Sequence, residues 1–291
     1  MQSRALNISS ERNTWVSLIL FLITWILVSS LFYIIMVLPF FPDSLSMPTP
    51  ESQNAYGGNY VFAMLVQISS LFGAMGTFII LVKRRGGSIY HFLAQQLSQF
   101  NLSQFSKGVL TSICIIGGFL TIVLATGLVS VTFNSLKNII VSSLFFIIVS
   151  ITEEIVFRGY VFVKLQEKLS LTFSLIFSSL LFSVIHIANP NIGFIGFINI
   201  FLFGSFTAIL YHRYQNLSSA IGAHFAWNFL QTFFGFAVSG QDYEGAFVVK
   251  YLSAKEFLTG GAFGVEGSLL LILPMIIIIM FEFKYVRQVN G

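Results

Sequence analysis

The chain alternates long apolar runs with short polar breaks. The runs cover residues 15–38, 60–82, 109–131, 138–163 (reaching as far as 169), 171–188, 192–211, 217–238 and 267–281. A spanning helix needs about 20 mostly apolar residues, so the pattern predicts an all-α, polytopic membrane bundle of eight transmembrane helices. Helices in lipid are apolar all round, so amphipathic period carries little here. The breaks are of recognisable kinds. Pro39, Pro42, Pro48 and Pro50 mark an extended loop, and Lys83-Arg84-Arg85-Gly86-Gly87 is a basic stop. Asn189-Pro190-Asn191 is a tight turn, and Ser239 to Glu266 reads as a polar loop. Residues 88–107 mix aromatic, leucine and polar positions and predict an interfacial helix, with His91 at headgroup level. Gly117, Gly118 and Gly127 predict close helix contact in the third helix, and Pro274 a kink in the eighth. The first run is read as a retained helix, not a signal peptide: it exceeds a signal core and lacks a small-x-small cleavage site.

Lysine and arginine follow the same division. With the N-terminus inside, the inner segments hold Arg4, Arg12, Lys83, Arg84, Arg85, Lys107, Lys164, Lys168, Arg213, Lys284 and Arg287, and the outer ones only Lys137, Lys250 and Lys255. The positive-inside rule then puts both termini in the cytoplasm. Hydrophobic residues make up 56% of the chain and charged residues 9%, against about 25% charged in a soluble domain. The net charge of +4 is therefore assigned to cytoplasmic loops, with the lipid bilayer as partner and no nucleic acid. The lone Cys114 excludes an intrachain disulfide and a cysteine-cluster metal site. No internal repeat and no second domain are visible, so residues 1–291 read as a single membrane domain.

Against this background, charges within the runs stand out. Each central charge costs roughly 2.5–3.5 kcal/mol to insert, yet Glu153, Glu154 and Arg158 lie together in the fourth run. Glu154 and Arg158 are four apart on one helix face and can pair. Glu153, turned by about 100°, points elsewhere, into a cavity. His186 ends the fifth run, four after Phe182, and His224 and Asn228 share a face of the seventh. Together these groups suit two chemistries. Glu153, His186 and His224 can hold a metal that polarises water, or Glu153 and a histidine can activate water directly. Asn228 or a histidine can stabilise an oxyanion. At 1.5 Å per residue from the inner helix ends, Glu154, His186 and His224 lie about 20, 24 and 12 Å deep, a spread that tilt or deeper helix starts must absorb. Phe182 and Trp227 read as packing residues.

The motifs Glu153-Glu154-Ile155-Val156-Phe157-Arg158, Phe182-Ser183-Val184-Ile185-His186 and His224-Phe225-Ala226-Trp227-Asn228, in this order on three apolar helices, resemble the CAAX protease and bacteriocin-processing (Abi) family of intramembrane proteases. Tyr160 fits the extension of the first motif. The resemblance covers residues 138–231, roughly a third of the chain, which would be the catalytic core. It implies a helical-bundle endopeptidase in which Glu153 activates the attacking water and Glu154 and Arg158 shape and charge-balance the site. His186 and His224 would bind a divalent metal such as zinc or act as base and acid, and Asn228 would support the tetrahedral intermediate. The family is described both as metalloproteases and as metal-free glutamate-type proteases, and both remain open. Its eukaryotic members cleave prenylated C-terminal tripeptides, and bacterial ones are linked to peptide maturation and bacteriocin self-immunity. A chain of this length resembles the bacterial group, in a multi-pass plasma-membrane location. The expected function is hydrolysis of a peptide bond in a membrane-associated peptide or protein. The alternatives are a non-catalytic immunity or interaction protein and an ion-coupled transporter; the absence of an inverted repeat argues against the second.

Overall fold

The computed structural model describes residues 14–45, 59–84 and 100–290. Its helices are α1 (Thr14–Met36), α2 (Tyr60–Arg84), α3 (Leu102–Ala125), α4 (Ile139–Gln166), α5 (Leu171–Ala188), α6 (Phe194–Tyr214), α7 (Ser218–Phe233), the single turn α8 (Glu256–Thr259) and α9 (Ile272–Asn290). Strand β1 (Val129–Phe133) pairs antiparallel with β2 (Phe247–Tyr251), Val131 facing Val249. Among the described residues, seven helices, α1 to α6 and α9, are long and apolar enough to cross a membrane. The chain is a polytopic helical membrane bundle. Their outer faces are bare hydrocarbon: Ile26, Leu27 and Ile35 on α1, and Leu273, Ile277 and Met280 on α9, are exposed.

The helices run alternately between two ends. At one end the α4–α5 and α6–α7 links meet the start of α3: Gln166 bonds His212, Asn101 N–H donates to Ser218 Oγ, and Asn216 donates to Gln104. At the other lie β1, β2, the α5–α6 link and the segment after α7, where Tyr60 donates to the Glu244 carbonyl. We call these the basic end and the strand end.

Several boundaries differ from the sequence expectation. The third helix was expected to reach residue 131 but stops at Ala125: Gly127 takes a positive φ of 66°, and the β-branched stretch beyond it pairs with β2. That pairing also puts a strand inside the expected 239–266 loop. The expected helix 217–238 is α7, which ends at Phe233 and has 16 residues, short for a span. Residues 261–271 form short 3₁₀ turns before α9, so Pro274 falls in a first turn, where its missing N–H costs nothing, and not at a mid-helix kink. Residues 88–99 of the expected interfacial helix, with His91, lie outside the described residues; Leu102 onward begins α3. The close glycine contact is also elsewhere. A Cβ at Gly117, Gly118 or Gly127 would meet open space, whereas one at Gly108 would enter the backbone of Ser219 and Ala223, and one at Gly222 that of Phe105. These two glycines let α3 and α7 touch backbone to backbone, with Ser112 Oγ donating to the Ala223 carbonyl at 2.8 Å.

Candidate active site

Helix α4 widens just after its two glutamates. Residues Ile155–Phe162 form a π-helical stretch, all eight buried, of the kind that recurs at functional sites. The i,i+4 pair survives the widening: Glu154 Oε1 is 3.2 Å from Arg158 Nη1, and both side chains are essentially inaccessible. Arg158 Nη2 donates to the Gly204 carbonyl of α6 at 3.0 Å, and its guanidinium lies 4.5 Å from the centre of the Phe182 ring. Phe182 is thus a cation-binding face as well as a packing residue.

Glu153 faces away from this pair, as the 100° rotation predicts. Its Oε2 is 3.7 Å from His224 Nε2 and 4.0 Å from His186 Nε2. Both histidines meet on this one carboxylate oxygen, although the count from the helix ends spread them in depth. Glu153, His186, His224 and Asn228 line one cavity of about 370 Å³, together with Gln67 and Glu266.

The other ring nitrogens fix the tautomers. His186 Nδ1 is 2.7 Å from the Phe182 carbonyl, which can only accept. His224 Nδ1 is 2.8 Å from Glu154 Oε1, also an acceptor. Both neutral rings therefore carry the proton on Nδ1 and turn the Nε2 lone pair towards Glu153. Glu153 Oε2 is itself buried and has no hydrogen-bond partner among the described residues. Three acceptors thus converge on one point, which calls for a proton donor or a cation.

The spacing bears on which. Zinc with bonds of about 2.0–2.2 Å in a tetrahedron holds its ligand atoms about 3.4 Å apart. The Glu153–histidine separations are wider, and among the described residues no group of three His, Cys, Asp or Glu side chains stands at metal-holding spacing. The donor chemistry suits zinc, but the donors as placed do not form a three-ligand site. The same distances exceed a direct hydrogen bond and leave room for a shared water.

Two contributors escaped the sequence reading. Glu266, assigned to a polar loop, is buried, with four polar hydrogens on its carboxylate. Oε1 accepts from Trp227 Nε1 at 2.9 Å and Gln231 Nε2 at 3.4 Å; Oε2 accepts from the Ser239 N–H at 2.8 Å and hydroxyl at 2.7 Å. Trp227 therefore anchors a carboxylate beside the motif helix. No local pattern marks Glu266. Gln67 was detectable as a lone amide within an apolar run.

Residues 135–230 match the family model described as Rce1-like, type II CAAX prenyl endopeptidase Rce1-like. The match agrees with the resemblance carried by the three motifs and spans Glu153, Glu154, Arg158, His186, His224 and Asn228. No curated protein and no solved structure matches the chain.

Proposed function

We propose that this chain, which contains an Rce1-like segment over a third of its length, is an intramembrane endopeptidase acting on a membrane-associated peptide or protein. Glu153 is the general base. Water held between Glu153 Oε2 and the two Nε2 lone pairs gives one proton to Glu153 and keeps the other in a hydrogen bond to a histidine. The oxygen attacks the scissile carbonyl carbon, and the Asn228 amide donates to the oxyanion that forms. Collapse of the tetrahedral intermediate breaks the C–N bond, and Glu153 returns its proton to the departing amine. Glu154 fixes the His224 tautomer through Nδ1, and Arg158 balances the charge of Glu154.

The observation that carries this reading is the convergence of two Nε2 lone pairs on the unpartnered Oε2 of Glu153. Water is a better nucleophile candidate than a side chain here. Ser239, the one serine lining the cavity among the described residues, directs its hydroxyl to Glu266 and to neither histidine. A metal on Glu153, His186 and His224, the other chemistry implied by the resemblance, would need these atoms drawn closer, and no step here passes through it.

The test compares membrane peptides from cells carrying the wild type and Glu153→Gln. Peptides made by the wild type should disappear in the variant, a loss of about 10²–10⁴-fold for a general base. Equal peptide sets at equal protein levels would refute the mechanism.

A further inference from the structure

We propose that the catalytic cavity is fed from the non-cytoplasmic side of the membrane, so that its substrate is a peptide segment presented on that face and not a cytoplasmic tail. The word substrate rests on the protease reading above; the side of entry rests on placement and charge alone.

The cavity belongs to the strand end. Besides the motif residues, it is lined by Asn189 of the α5–α6 link and by Ser239, Gln241 and Tyr243, which follow α7. The opposite links, residues 167–170 and 215–217, contribute nothing to its wall. A second hollow of about 550 Å³ adjoins it, lined by Asn191, Asp242, Glu244, Phe247 and Tyr251 among others. Tyr243 lines both, so its ring stands between the two hollows. That ring is braced by Tyr60 at 5.3 Å and Phe145 at 5.2 Å, on α2 and α4. Glycine makes this vestibule possible: a Cβ at Gly240 would enter the Pro190 carbonyl, and one at Gly245 the Thr232 carbonyl. The catalytic cavity and the hollow beside β2 thus both belong to the strand end.

The charges say which side that is. Towards the basic end lie Lys83, Arg84, Lys107, Lys164, Lys168, Arg213, Lys284 and Arg287; the strand end carries only Lys137, Lys250 and Lys255. Lysine and arginine near span ends set orientation and acidic residues contribute little, so the basic end is cytoplasmic and the vestibule faces away. This holds whether α7 counts as a span or not, because the pairing of β1 with β2 and the contacts among the links fix which segments share an end.

Single-cysteine chains test it. Cys114 is replaced by serine, and Gln241→Cys (catalytic cavity), Asp242→Cys (vestibule) and Lys168→Cys (α4–α5 link) are expressed in a bacterial inner membrane. Intact spheroplasts are treated with a membrane-impermeant methanethiosulfonate. Gln241→Cys and Asp242→Cys should label without permeabilisation, and Lys168→Cys only after it. Labelling of Lys168→Cys in intact spheroplasts would overturn the inference. So would failure of Gln241→Cys to label there, even with Asp242→Cys reactive, since the cavity would then be closed from that side. Labelling does not depend on turnover. If the pattern holds while Glu153→Gln still cleaves, the mechanism falls and the side stands; if it inverts while Glu153→Gln is inactive, the side falls and the mechanism stands.

Discussion

Glutamine in place of Glu154 keeps the shape of the side chain and removes its charge. Glu154 is fully buried, 3.2 Å from Arg158 Nη1 and 2.8 Å from His224 Nδ1. In the variant, Arg158 retains the Gly204 carbonyl at 3.0 Å and the Phe182 ring at 4.5 Å, but loses its adjacent carboxylate. Those two contacts exist before and after, so they offset nothing. Removing one member of a buried pair costs about 3–5 kcal/mol, because the other charge stays in a medium of low dielectric. Removing both should restore most of it: neutral residues of similar volume are often equal to a buried pair or better by about 1–4 kcal/mol. Glu154→Gln should therefore unfold well below the wild type in detergent, and Glu154→Gln with Arg158→Met should recover. The assay is the thermal or SDS-induced unfolding midpoint of the purified full chain, read by loss of helical signal. Cleavage should stay reduced in the double variant, because a neutral amide holds the His224 Nδ1–H about half as strongly as a carboxylate. A Glu154→Gln chain as stable as the wild type would refute the argument, as would a double variant less stable than the single one.

Asn228→Ala should lower kcat by about 10²–10³-fold with KM little changed, the signature of a lost oxyanion donor; an equal rise in KM would place Asn228 in substrate binding instead. Gly108→Ala should destabilise by about 1–3 kcal/mol because its Cβ would enter the α7 backbone. Gly117→Ala, facing open space, should be neutral or stabilising by up to about 1 kcal/mol; unfolding midpoints decide, and equal losses would refute the α3–α7 contact. Dialysis against 1,10-phenanthroline should leave cleavage intact, given the Glu153–histidine spacing; loss of activity that zinc restores would instead establish the metal chemistry.

What the sequence revealed and what it hid divide along physical lines. The long apolar runs marked the helices because about 20 consecutive apolar residues in a chain this poor in charge have few other uses. Glu154 and Arg158 were legible as a pair because helical spacing is local. The meeting of His186 and His224 on Glu153 was legible only through the motif set, since the depth count alone spread them apart. That count took every helix as untilted and starting at one level, which the approach of both histidines to Glu153 excludes. The π-helical stretch left no sequence mark. Nor did β1 and β2, whose apolar, β-branched residues read as the end of a helix and as part of a loop. Their pairing is a contact between segments more than a hundred residues apart. The helix-contact glycines were misplaced for a related reason: the Gly117-Gly118 pair is conspicuous in sequence, while Gly108 and Gly222 are isolated and acquire meaning only from each other.

Glu153 and Glu266 line one cavity and Glu154 is buried outside its wall, and the division of labour among the three carboxylates follows from this placement and from the partners each already has. Both oxygens of Glu266 are engaged, by Trp227 and Gln231 on one side and by Ser239 on the other. Glu154 places one oxygen between Arg158 and His224. Glu266 is thus committed to orienting its neighbours; the second oxygen of Glu154, like Oε2 of Glu153, has no partner among the described residues, but Glu154 does not line the cavity. Glu153 differs: its Oε2 meets only the lone-pair side of two imidazoles, and neither ring presents it with a hydrogen. The adjacent glutamates are separated in role by one helical step. Glu154, turned inward, sets the tautomer that keeps the His224 Nε2 lone pair facing the cavity, and that lone pair helps leave Glu153 unsatisfied until a water enters. Glu266 works on the same cavity from the strand end, holding Ser239, and with it the entry wall, against the helix that carries His224 and Asn228.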